Sequence, residues 1–242
     1  MIYLALATVL RLWHAFGGYR VSRVGSERLP RAGGVVLAIN HTSYVDFTFA
    51  GLEMLRTDRR RVRFMGKKEL QDNPVLRFLM WGCGVIPVDR SAGHDAYVAA
   101  VEQLQRGEVV AIYPESTISL SLEIETLKSG AARMALEAGV PIVPCIVWGT
   151  QRIAPKGAPK NLGRSRLPVA VATGDPIMPT GSVDELTALL RDAMATLLDE
   201  VQAAYGTHPA GAAWVPERLG GSAPPALSPR PEPGSGPTSD DG

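Results

Sequence analysis

Short apolar runs alternate along this chain with longer stretches in which apolar residues recur at helical spacing. Val35-Val36-Leu37-Ala38-Ile39 is a continuous run of the kind that forms a strand buried on both faces. Similar runs at Val62-x-Phe64-Met65-Gly66, Gly84 to Val88, Glu108 to Tyr113, Pro141 to Trp148 and Leu167 to Thr173 predict further strands, with a short one before Leu29-Pro30. Between them, Ser43-x-x-Asp46 opens a helical pattern over about 44–56 through Phe47, Phe49, Leu52 and Leu55, as a capping box with Asp in place of Glu or Gln. Residues 69–81 read as a helix in which Pro74 must sit in the first turn or at a break. Ser91 to Gln105 and Lys128 to Ala138 read as helices stopped by Gly107 and Gly139. Ser182-x-x-Glu185 is a capping box that starts a helix to about Tyr205. Strands alternating with helices imply an α/β layered domain, a largely parallel sheet flanked by helices, over residues 21–206.

The two ends differ from that domain. Residues 1–20 are apolar with a polar stripe at Thr8, Arg11 and His14, and aromatic residues Trp13, Phe16 and Tyr19 gather near one end. This predicts an N-terminal interfacial helix lying in one leaflet, with Arg11, Arg20 and Arg23 near headgroups. Packing on the domain and a true span are the alternatives, and Arg11 interrupts any span of about 20 apolar residues. Residues 207–242 are rich in Pro, Gly and Ser without period, which predicts a disordered tail. Residues 149–166, with three glycines, two prolines and five basic residues, read as a surface loop.

The net charge of +1 hides an asymmetry: residues 1–90 hold 14 Lys/Arg against 7 Asp/Glu. The cluster Arg59-Arg60-Arg61-x-Arg63 and the pair Lys67-Lys68 suit anionic lipid or a phosphorylated substrate, or are simply a solvated loop. Aromatics make up 6% of the chain and do not interleave with the basic run, which argues against nucleic acid. Two cysteines without Cys-x-x-Cys spacing and four scattered histidines predict neither a disulfide framework nor a metal site.

His41 lies at a strand-to-helix turn, and Asp46 follows in the first turn of the predicted helix. A carboxylate so placed can reach back to one imidazole nitrogen, fix the tautomer and leave the other nitrogen to accept a proton. The spacing alone is common, and a turn histidine beside a helix cap would satisfy it equally.

Three further blocks follow in order: Gly84-Val85-Ile86-Pro87-Val88-Asp89-Arg90, Tyr113-Pro114-Glu115-Ser116-Thr117 and Val140-Pro141-Ile142-Val143-Pro144. With Asn40-His41-x4-Asp46 they resemble the four blocks of the glycerolipid acyltransferase family, whose best-known members are the lysophosphatidic acid acyltransferases. The resemblance covers roughly residues 20–180 and implies transfer of a fatty acyl group from acyl-CoA or acyl carrier protein to a lipid hydroxyl, with no other cofactor. His41 would be the base and Asp46 its orienter, the acceptor attacking directly without an acyl-enzyme. Arg90, then Lys67 and Lys68, then Lys128 would hold an acceptor phosphate, and Glu115 and Thr117 would lie on the acceptor side. The implied partners are an acyl thioester, a lysophospholipid (1-acylglycerol-3-phosphate first) and an anionic membrane surface, at the cytoplasmic face of the cell membrane. The third block departs from the family's Pro-Glu-Gly-Thr-Arg: the Gly is Ser116 and the Arg is Ile118. That departure bears on the acceptor and keeps a glycolipid or other lipid hydroxyl open. A thioester hydrolase and a non-catalytic lipid-binding protein are the remaining alternatives. The apolar residues Leu76, Phe78, Leu79, Met80 and Trp81 would line an acyl channel or simply pack the core.

Overall fold

In the computed structural model, seven strands form one sheet in the order β1-β7-β6-β2-β5-β3-β4. They are β1 (Arg20–Val24), β2 (Val35–Ile39), β3 (Val62–Lys67), β4 (Ile86–Val88), β5 (Val109–Ile112), β6 (Ile142–Trp148) and β7 (Pro168–Thr173). Every neighbouring pair is parallel except β6 with β7. The structure describes residues 2–89 and 93–226, without the side chain of Asp58.

The helices are α1 (Ile2–Gly17), α2 (Asp46–Asp58), α3 (Pro74–Cys83), α4 (His94–Gln105), α5 (Gly130–Ala138) and α6 (Val183–Tyr205). Central strands covered on both faces read as unbroken apolar runs, which is why β2 and β6 are buried throughout. Successive side chains point to opposite faces. Val35, Leu37 and Ile39 therefore pack with Phe49, Ala50 and Met54 of α2, while Val36 and Ala38 pack with the α4, α5 and α6 layer.

Local chemistry sets the boundaries. Asn73 caps α3, its side chain accepting from the N–H groups of Val75 and Leu76, and Pro74 occupies the first turn. The proline's missing N–H costs nothing there. The single helix expected over 69–81 is thus a 3-10 turn over Lys68–Asp72 followed by α3. The Ser182/Glu185 capping box of α6 is present in both halves.

The basic cluster is largely spent inside the fold. Arg60 binds the carbonyls of Pro30, Gly33 and Gly107, Arg63 pairs with Glu108 at 3.2 Å, and Arg61 lies over the Tyr3 ring. Arg23, expected near headgroups, instead meets the buried Glu53 at 2.6 Å. His14 turns inward, stacked on Phe49 with its Nε2 3.0 Å from the Thr48 hydroxyl. Burial, helped by Arg23, pushes its pKa down to about 4.

The tail expected from residue 207 is corrected as far as Ala226. Residues 207–226 fold back over α6 and the β6 end, with Val215 and Ala223 buried and the Trp214 ring under the Arg152 guanidinium at 4.2 Å. Arg218 in this strap pairs with Glu123 and Asp199. Sparse but well-placed apolar residues anchor a Pro/Gly-rich stretch that composition alone assigns to disorder. Residues 227–242 lie outside the described residues.

Helix α3 fills little of the core. Val75, Leu76, Phe78 and Trp81 are exposed, and only Met80 is buried. α1 packs beside it, with Ile2 against Gly82, and also leaves Leu4, Val9, Leu12 and Phe16 exposed. No helix among the described residues is long and apolar enough to cross a membrane.

Candidate active site

The site forms at the carboxyl ends of β2 and β5, adjacent parallel strands whose chains leave over opposite faces of the sheet. Such divergence opens a crevice above the strand ends. His41 follows β2 and Glu115 follows β5.

Asp46 is fully buried, and its carboxylate is saturated with donors. Oδ2 accepts the N–H groups of Thr42 at 2.9 Å and Ser43 at 2.8 Å and lies 3.1 Å from His41 Nδ1. Oδ1 accepts the hydroxyl of Thr150, the residue that opens the turn after β6. Because the carboxylate can only accept, the imidazole proton sits on Nδ1 and Nε2 carries the free lone pair. The Ser43 hydroxyl does not cap α2. It donates to the Ala154 carbonyl, and the Asp46 carboxylate instead ties down the Thr42 and Ser43 N–H groups that precede the helix.

The rest of the turn is fixed from both flanks. The Asn40 amide donates to the Val147 carbonyl and accepts its N–H, so β2 stays tied to β6 where the chain turns away. The His41 N–H donates to Glu115 Oε1 at 2.9 Å, and the His41 carbonyl accepts the Ser119 N–H at 2.7 Å. The Tyr113 ring stacks on the imidazole with centroids 3.9 Å apart. Ser116 has φ 59°, a left-handed conformation that suits glycine, which explains the Gly of the related pattern at this position. Ile118 is buried.

Burial pushes the Glu115 carboxyl up to about 8, reinforced by the Asp46 charge and opposed by the His41 N–H. Its folded pKa lies above the ordinary 4.5, so its contribution to stability is full below that value and fades as pH rises through 8. Gln mimics the neutral acid and still accepts the His41 N–H. Glu115→Gln is therefore expected to flatten the loss of stability between pH 4.5 and 8, measured by thermal unfolding across that range. Parallel curves for the two proteins would contradict the assignment.

The structure brings His41, Asp46 and Glu115 together, while Thr117 stands exposed two residues after Glu115 and meets Lys156. Lys128 is tied by its N–H to the Pro114 carbonyl with its side chain exposed. Lys67 ends β3 on the same rim, and the ammonium of Lys68 pairs with Asp89 at 3.3 Å. Arg90 lies outside the described residues. Sequence reasoning missed Thr150, and it assigned residues 149–166 wholly to the surface. Thr150, Gln151, Ile153 and Ala154 are buried, with Thr150 and Ala154 bonded to the turn from His41 to Asp46. The Gly149-Thr150 pair after an apolar run is the only signal, and it does not name Asp46 as a partner.

The site is thus a histidine oriented by a buried carboxylate, set in the crevice of an α/β sheet, and among the described residues no Ser or Cys side chain is bonded to its ring. Residues 20–148 match the Acyltransferase family model, and the chain belongs to that family. It is 29% identical over 184 residues to a 1-acyl-sn-glycerol-3-phosphate acyltransferase of Chlamydomonas reinhardtii, covering 74% of this chain and 53% of that protein. It is 31% identical over 134 residues to the 1-acyl-sn-glycerol-3-phosphate acyltransferase of Bacillus subtilis, covering 55% of this chain and 64% of that protein. The chain thus spans about half to two-thirds of the length of these relatives. The crystal structure of PlsC, the 1-acyl-sn-glycerophosphate acyltransferase of Thermotoga maritima, shares the fold with TM-score 0.65 at 23% identity, covering 82% of each chain.

Proposed function

We propose that this protein moves a fatty acyl group from a thioester, carried by CoA or acyl carrier protein, to the free hydroxyl of a lysophospholipid. The first acceptor is 1-acylglycerol-3-phosphate, giving phosphatidic acid. The observation that carries the reading is the His41 ring, held by buried Asp46 with Nε2 free. The acceptor hydroxyl gives its proton to Nε2 as its oxygen bonds to the acyl carbon. The C–S bond then breaks, and the imidazolium returns the proton to the departing thiolate. The family to which the chain belongs and the names of its relatives support this reading. The reaction asks for no resident cofactor.

The exposed apolar residues of α1 and α3, Phe16, Phe78 and Trp81 among them, support docking on a membrane surface, where lysophospholipid resides. The cytoplasmic face suits a thioester drawn from the cytosol. A second reading keeps the chemistry but takes a phosphate-free lipid or glycolipid acceptor, and it is favoured by the buried Ile118 where the family carries Arg.

The test is a radiolabelled acyl-CoA assay on vesicles carrying 1-acylglycerol-3-phosphate, glycerol-3-phosphate, a monoacylglycerol or no acceptor, with pelleting to score vesicle binding. Labelled phosphatidic acid made from the first lipid alone is the expected result. Product only from monoacylglycerol moves the acceptor, free fatty acid without acceptor moves the class to hydrolase, and failure to pellet overturns the docking face.

A further inference from the structure

We propose that Lys156 and Lys160, on the loop after β6, form the cationic site for a substrate phosphate in place of the arginine that Ile118 displaces. The proposal rests on the acyltransferase reading and adds to it the residues that select a phosphorylated substrate.

The loop is built onto the catalytic turn. At its start the Thr150 hydroxyl binds Asp46. Four residues on, the Ala154 carbonyl accepts both the Tyr44 N–H and the Ser43 hydroxyl at 3.0 Å. Ile153 and Ala154 are buried, and the Asn161 N–H closes the loop on the Ile153 carbonyl at 2.7 Å. The exposed tip between these anchors carries the two lysines.

Their ammonium groups reach the two segments that adjoin His41, the one after β5 and the turn after β2. Lys156 Nζ donates to the Thr117 hydroxyl at 3.3 Å. Thr117 belongs to the segment whose Glu115 and Ser119 clamp the His41 backbone. Lys160 Nζ sits 5.1 Å from the ring centre of Tyr44, three residues after the base. Among the described residues neither ammonium has a carboxylate within ion-pair distance, whereas Arg23, Lys68 and Arg218 all do. Two uncompensated charges on segments joined to the His41 turn raise the local concentration of an anionic substrate. Lysines, as mobile point charges, hold a phosphate without demanding one orientation. The phosphate has two possible sources: the headgroup of the acceptor and the phosphates of the CoA or carrier arm of the donor.

The test compares wild type with Lys156→Ala/Lys160→Ala and with Lys156→Arg/Lys160→Arg. KM is measured separately for 1-acylglycerol-3-phosphate and for acyl-CoA. Calorimetric binding of CoA and of a short-chain 1-acylglycerol-3-phosphate is measured in parallel, with thermal unfolding as the check on folding. The double alanine variant is expected to raise KM and Kd for one phosphorylated ligand about tenfold, with the loss concentrated in KM and recovered by the arginine pair. A change confined to the lysolipid assigns the headgroup, and one confined to CoA assigns the carrier. Unchanged binding of both ligands in a folded double variant overturns the proposal. Should wild type transfer no acyl group to any acceptor, the functional reading fails, and the lysines are still judged on the calorimetric constants.

Discussion

His41→Ala is expected to lower kcat by about 10²–10⁴-fold while leaving the fold intact. The ring is partly exposed and stacks on Tyr113, but no described backbone group depends on it. The turn is instead held by the His41 N–H and carbonyl, which alanine retains. Losing the imidazole therefore removes the proton acceptor without freeing a buried donor. The decisive measurement is single-turnover acyl transfer at saturating acceptor, beside thermal unfolding of both proteins. Activity within a few-fold of wild type would mean that His41 is not the base. Loss of folding would mean that the ring carries a structural share which the bonding around it does not imply.

Asp46 gives the second large effect, and here two substitutions separate chemistry from folding. Asp46→Asn can turn its oxygen toward Thr42, Ser43 and His41 and its amide toward the Thr150 hydroxyl, so the turn survives. The negative charge that stabilises the imidazolium is gone, and kcat is expected to fall about 10²–10⁴-fold with modest change in stability. Asp46→Ala strands the Thr42 and Ser43 N–H groups in a site from which water is excluded. Each unpaired donor costs about 1–3 kcal/mol, so this variant is expected to unfold at clearly lower temperature as well as lose activity. Calorimetry on both variants checks the difference; equal melting of Asn and Ala forms would show that the carboxylate does not organise the turn.

The sheet was readable because buried parallel strands leave unbroken apolar runs; Val35–Ile39 and Ile142–Trp148 announce themselves without knowledge of their neighbours. Capping chemistry was readable where its partners are local, as at Ser182 and Glu185. It misled at Ser43, where the right residue types stand at the right spacing but the hydroxyl is drawn to Ala154. That contact spans 111 residues, and no local pattern encodes it. The same reason hides Thr150 and turns an apparently solvated loop into a wall of the site. Composition failed similarly at residues 207–226, because Trp214 finds partners on the turn after β6 and Arg218 finds them on α6 and on the loop after β5. His41 and Asp46 were legible because a turn brings them together within six residues.

The Thr150 and Asn40 contacts also set an order of events during synthesis. The histidine and its aspartate leave the ribosome about a hundred residues before the hydroxyl that seals the carboxylate and the strand that holds Asn40. Closing so long a stretch of chain is slow relative to forming the turn itself. A nascent chain therefore carries both residues of the pair while their carboxylate is still wet and their geometry loose. The bonded geometry of the pair is complete only where β6 lies beside β2 and Thr150 reaches the carboxylate, so a lesion in β6 far along the chain is expected to loosen a turn made almost a hundred residues earlier.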